Sequence, residues 1–132
     1  MVSVPIDKKH IQRMNEKQAK EIPGQCQVLI RGVRDTQDLL SGKWKTGILG
    51  ALYYRGKMRF MELRRELDGI APKMLSKELK DLEINHLVTR TVYDTMPVTV
   101  EYELTEHGQS LNTVIEAMGK WGVKYRKQIV DM

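Results

Sequence analysis

Lys73, Lys77 and Lys80 recur at helical spacing inside the stretch DGIAPKMLSKELKDLEINHLV, residues 68–88. Three ammonium groups along one side of a helix attract an extended anion, such as the phosphate backbone of a nucleic acid. At 100° per residue, Leu75, Leu79 and Leu82 fall within about 60° of one another, and the lysines cluster roughly opposite with Ser76 at their flank. The leucines should then face a core and the lysines should face out. A surface helix with no binding role also has a charged face, but that face ordinarily mixes signs. Here the outermost stripe holds three positive groups and no carboxylate. Lys77 and Lys80 can neutralise phosphates or donate to guanine O6 and N7, and Ser76 can donate or accept. Lys73 follows Pro72 at the helix start and is the best placed to reach a base edge. Arg59 and Arg90 read either as phosphate clamps or as solvated charges.

Other reactive side chains are few. Cys26 is the only cysteine, so no internal disulfide can form, which fits a reducing, cytoplasmic setting. It reads either as a redox or electrophile sensor or as an incidental thiol. His10, His86 and His107 lack metal-ligand spacing, and one cysteine adds no zinc pattern. There is no serine–histidine–acid set, no glycine-rich phosphate loop and no usefully spaced carboxylate pair, so neither catalysis nor a cofactor is expected.

The elements that must position these residues can be read from periodicity. Residues 6–20 look like a charged helix, broken at Pro23-Gly24. Residues 33–40 look like a short helix ended by Ser41-Gly42. Trp44, Ile48, Leu49 and Leu52 form a buried stripe in a helix stopped by Gly56. Trp44 reads as core, with an effector pocket as the other option. A helix is expected from Phe60 to Leu67, then a turn at Asp68-Gly69, then a helix opened by Pro72. After His86 the period changes. LVTRTVYD reads as a strand and Asp94–Pro97 as a turn. VTVEYEL then alternates, with Val98, Val100, Tyr102 and Leu104 on one face. A long last helix from Thr105-Glu106 carries Leu111, Val114, Met118, Trp121 and Tyr125 near a 3.5-residue repeat, the pattern of a helix packed on a helix, here expected at a dimer interface.

Three helices followed by a hairpin is the winged helix-turn-helix plan, in which the third helix enters the major groove beside the wing. The fold class is therefore α+β, mostly α. The chain of 132 residues suits one domain: an N-terminal arm or helix over 1–25, a winged helix-turn-helix core over 26–105 and a C-terminal dimerisation helix over 106–132. Net charge is +5 and the pI about 9.4, which favours an anionic partner. No apolar run approaches the roughly 18 residues of a membrane span, and the N-terminus is too polar for a secretory signal.

The motifs GKWKTGIL, MRFMELRREL, GIAPKMLSKELKDLE, HLVTRTVY and VEYELTEHGQSL, in this order, resemble the HxlR-type family of bacterial transcription regulators, which have MarR-like winged-helix architecture. The resemblance covers about residues 38–122. It implies a homodimer on double-stranded DNA at a pseudo-palindromic operator, with the reading helix at 71–84, the wing at 88–104, and an unknown small-molecule effector as a further partner. Two departures stand out. Cys26 lies further upstream of Trp44 than the cysteine many members carry, and Gln27 replaces the proline that usually follows it. Thr99 stands where many wings carry a basic residue. The same residues also fit one rival: a winged-helix module that uses its basic face to bind an acidic protein.

Overall fold

The computed structural model describes residues 24–130. The helix expected over 6–20 lies outside them. α1, Gly24–Leu39, is already helical at the first described residue, well before the expected 33–40 segment, because Cys26, Leu29, Ile30 and Val33 continue one apolar stripe through residues that favour helix. The boundary expected after residue 25 therefore falls in its first turn. None of its residues is buried. α1 belongs to a compact unit that ends at Ser41.

The second unit starts at Gly42. α2, Lys45–Arg55, buries Ile48, Leu49 and Leu52 and stops at Gly56, whose φ of 80° suits glycine. Trp44 is half-buried at the N-terminus of α2, with the Lys43 ammonium 4.8 Å from its ring centroid, so it borders the core instead of filling it. Next come β1, Met58–Arg59, α3, Phe60–Glu66, and α4, Pro72–Ile84. β2, Val88–Tyr93, and β3, Thr99–Leu104, form the hairpin. β1 was not expected, since two residues show no period. It completes an antiparallel sheet in the order β1-β3-β2, with Met58 opposite Tyr102 and Val88 opposite Leu104. The alternation expected from Val98 onward holds for Tyr102 and Leu104, which are buried, but Val98 sits exposed beyond the paired strand.

The expected long last helix is interrupted. α5, Glu106–Ser110, gives way at Leu111 to α6, Asn112–Tyr125, and a π-helical turn follows over Arg126–Val130. Two features start α5. Thr105 Oγ1 accepts the Gly108 N–H at 3.1 Å, capping the helix, and donates to the His86 carbonyl at 2.6 Å. The second contact pins α5 to the end of α4.

The core gathers Ile48, Leu49 and Leu52 of α2, Leu63 of α3, Leu75, Leu79 and Leu82 of α4, and Met58, Val88, Tyr102 and Leu104 of the sheet. Each fully buried leucine is worth about 1.5–3 kcal/mol relative to exposure. The leucine side of α4 thus faces the core, and its opposite face is left for other use.

Candidate nucleic-acid interface

α3, the turn and α4 form the helix-turn-helix. The Arg59 N–H donates to Glu62 Oε1 at 2.7 Å, which satisfies an otherwise unpaired donor at the start of α3. Leu63 anchors the helix in the core. Gly69, with φ of 93°, reverses the chain, and the buried Ile70 bonds its N–H to the Leu67 carbonyl at 3.1 Å. The Arg64 guanidinium reaches back to the Ile70 carbonyl at 3.4 Å. Pro72 then opens α4, where its missing N–H costs nothing. At the far end His86 takes φ of 61°. Its N–H bonds to Glu83 O at 3.0 Å and that of Leu87 to Leu82 O at 2.9 Å. This paired closure ends α4 and drops Leu87 into the core.

Pro72, Lys73, Ser76, Lys77 and Lys80 are all exposed on α4, opposite Leu75, Leu79 and Leu82. The three lysines take part in no salt bridge among the described residues. The sequence reading missed Glu78, which is buried on the leucine side. Its oxygen Oε1 lies 3.0 Å from the Nζ of Lys45, itself buried at the start of α2, and Asp81 Oδ2 lies 3.5 Å from the same Nζ. The signal was present: position 78 stands three after Leu75 and four before Leu82, on the same helical stripe.

Arg59 and Arg90 are exposed but are not brought together. The strand register sets Arg59 across from Glu101, with Thr91 on the other side of Glu101; Arg90 lies across from Tyr102, as does Met58. Directly opposed residues share a face, so the two arginines point to opposite faces of the sheet. The Arg59 face mixes signs, because Glu101 and Glu103 share it. Nearby, the Lys57 ammonium is held above its ordinary range by a hydrogen bond with Tyr93 first and by the charge of Glu103 next. At the wing tip, Thr95 Oγ1 donates to the Pro97 carbonyl at 2.7 Å, and Met96 is almost wholly exposed.

The residues expected at a dimer interface lie on α6. Val114, Met118, Trp121 and Tyr125 are exposed, Leu111 is half-buried, and no residue of α6 is fully buried. Trp121 and Tyr125 stack with ring centroids 5.0 Å apart. A groove of about 640 Å³ runs between α2 and α6 past Ala51, Tyr54, Ile115 and Met118. Cys26 is exposed on α1.

An exposed lysine stripe on the second helix of a helix-turn-helix, beside a β-hairpin, is the layout of a DNA reader. The model of the HxlR-like helix-turn-helix family matches residues 39–130. The chain belongs to this family. It is similar to the HTH-type transcriptional regulators YdeP and YtcD of Bacillus subtilis (strain 168). YdeP is 43% identical over 97 residues, covering 74% of this chain and 75% of YdeP. YtcD is 38% identical over 97 residues, covering 74% and 76%. Among solved structures, the redox regulator HypR in its reduced form superimposes with a TM-score of 0.71 at 37% identity, covering 76% of this chain and 99% of HypR. The reduced form of YodB from B. subtilis gives 0.62 at 35% identity, covering 70% and 90%. This HxlR-like protein is a DNA-binding transcription regulator with a winged helix-turn-helix, and its family consists of regulators, not enzymes.

Proposed function

We propose that this HxlR-like regulator binds a pseudo-palindromic operator as a homodimer and represses transcription by occupying it. The observation that carries the reading is the exposed Lys73, Lys77 and Lys80 stripe of α4, which forms no salt bridge among the described residues and is turned away from the leucines. Lys73 and Ser76, in the first turns, read base edges, while Lys77 and Lys80 hold phosphates. Arg90 on the wing adds a phosphate contact. Arg59, facing Glu101, contributes less. The exposed apolar residues of α6 support a two-fold interface built from Val114, Met118, Trp121 and Tyr125 with Leu111 at its edge. Two α4 helices would then enter neighbouring major grooves about 34 Å apart.

Selection of bound sequences from a random DNA pool tests this reading, with sedimentation of the free and bound protein beside it. The expected result is two inverted half-sites about 10 base pairs apart, centre to centre, bound by two chains. A single half-site bound by one chain would remove the dimer. Weak, sequence-blind binding at every salt concentration would favour the rival, a module that meets an acidic protein.

A thiol response is a second reading, favoured by the exposure of Cys26 and by the likeness to the redox regulator HypR. With no other cysteine in the chain, oxidation can join Cys26 only to a thiol of another molecule. Operator affinity unchanged by diamide in the wild type would remove it.

A further inference from the structure

We propose that Lys45, on the side of α4 away from the lysine stripe, is a positioning residue for DNA reading. Its ammonium fixes the rotation and axial position of α4 and takes up the two carboxylates that would otherwise offset the lysines. The geometry has two anchoring points. Lys45 Nζ sits 3.0 Å from Glu78 Oε1 and 3.5 Å from Asp81 Oδ2, and these carboxylates are three residues apart on one helix. The Lys45 and Glu78 side chains are only 8% and 5% exposed, while that of Asp81 is 41% exposed. Gly42, with φ of 93°, lies against the same pair: a Cβ there would stand 3.4 Å from Glu78 Oε2.

Leucine burial is non-directional, so it carries less orientational information than a bonded ion pair. A buried ion pair adds little stability over an apolar pair of similar size, so a buried pair at this point is better explained by register than by stability. The charge balance agrees. α4 carries Lys73, Lys77 and Lys80 against Glu78, Asp81 and Glu83, which cancel formally. With Glu78 and Asp81 held by Lys45, Glu83 is the one carboxylate of α4 left to offset the three exposed lysines.

The inference rests on the reading that α4 enters the operator, and the test separates the two. The full chain carrying Lys45→Met and Glu78→Met together keeps the same net charge and replaces a buried pair by apolar side chains. Its melting temperature is measured beside its affinity for the duplex selected above and for a random duplex of equal length, each at several salt concentrations. The expected double variant melts at or above the wild type and keeps the wild-type salt slope, because the phosphate-facing lysines remain. Its preference for the selected duplex falls about tenfold, the scale of one misaligned base contact. A double variant with wild-type preference overturns the assignment, and so does one that unfolds, because the pair would then serve stability. Lys77→Ala is measured in parallel. If it binds with wild-type affinity and slope, the reading of α4 itself has failed. If it weakens binding while the double variant keeps its preference, only the role of Lys45 falls.

Discussion

Replacing Lys77 by alanine removes one ammonium from each α4 and leaves the core untouched, since Lys77 is exposed and forms no salt bridge among the described residues. Each phosphate that is no longer neutralised takes about 0.9 from the slope of log affinity against log salt on B-form DNA. A two-fold assembly leaves one such phosphate bare per protomer, so the slope should flatten by about 1.8. Between 50 and 200 mM salt, a fourfold change, that difference compounds to about twelvefold. The gap between wild type and variant should therefore be about twelvefold wider at the low end. Fluorescence anisotropy with the selected duplex at three or more salt concentrations measures both slopes. Lys120→Ala is the control. Lys120 lies on α6, 2.8 Å from Glu116 in an i,i+4 pair, and should leave the slope alone. A wild-type slope for Lys77→Ala would mean that its side chain does not meet phosphate. Equal flattening by both variants would mean that the effect reports net charge and not the α4 face.

Gly108→Ala should destabilise even though alanine is the better helix former. The added Cβ would lie 2.2 Å from the Leu87 carbonyl oxygen and 3.0 Å from Leu104 Cδ2, and that carbonyl already accepts the Thr105 N–H at 3.1 Å. Overpacking and a broken hydrogen bond cost about 2–4 kcal/mol against a propensity gain of about 1, a net loss of about 1–3 kcal/mol in urea unfolding; unchanged or raised stability would refute the close approach. His86→Gly should go the other way. Relief of a left-handed conformation, worth about 1–2 kcal/mol, less the extra chain entropy of glycine, leaves a gain of about 0.5–1 kcal/mol, and a lower urea midpoint would count against strain at φ 61°. The Glu116 carboxyl is held below its ordinary range by the hydrogen bond from Lys120 and then by its charge. By side-chain NMR it should titrate below a free glutamate, and Lys120→Ala should return it. Because the folded value lies below the unfolded one, the pair's contribution is complete above the ordinary glutamate range and is lost as pH falls through the folded value.

Long periodic segments were the legible part of the fold. α2, α3, α4 and the hairpin lie within a residue or two of their expected bounds, because each has a full stripe or alternation and a glycine, proline or turn at its ends. β1 is invisible in the sequence because two residues have no period and their pairing with β3 is non-local. Residues 24–32 of α1 are hidden because Pro23-Gly24 reads as a loop break and Gly32 lowers the helical signal, although a glycine inside a helical pattern is tolerated. The break at Leu111 is hidden because the 3,4 spacing of Leu111, Val114 and Met118 continues through it. Spacing reports which face a residue shares, not whether every carbonyl along the way is bonded four residues on.

The site was legible where it depended on one helix and illegible where it depended on two elements meeting. The α4 lysines needed only the phase of their own helix, which the leucines supplied, and all are exposed as expected. Arg59 and Arg90 needed the register of three strands, and that register sends them to opposite faces. Glu78 lies between these cases. Its phase placed it on the leucine stripe, so a carboxylate at a core position was itself the signal that a buried cation must face it. The candidates were the lysines and arginines of neighbouring elements, and Lys45, one position after Trp44, sits at the start of the helix that packs on α4. The spacing of a binding stripe therefore says which residues a helix offers to DNA. The charged residue out of place on its other side says what holds that stripe at the angle to be read.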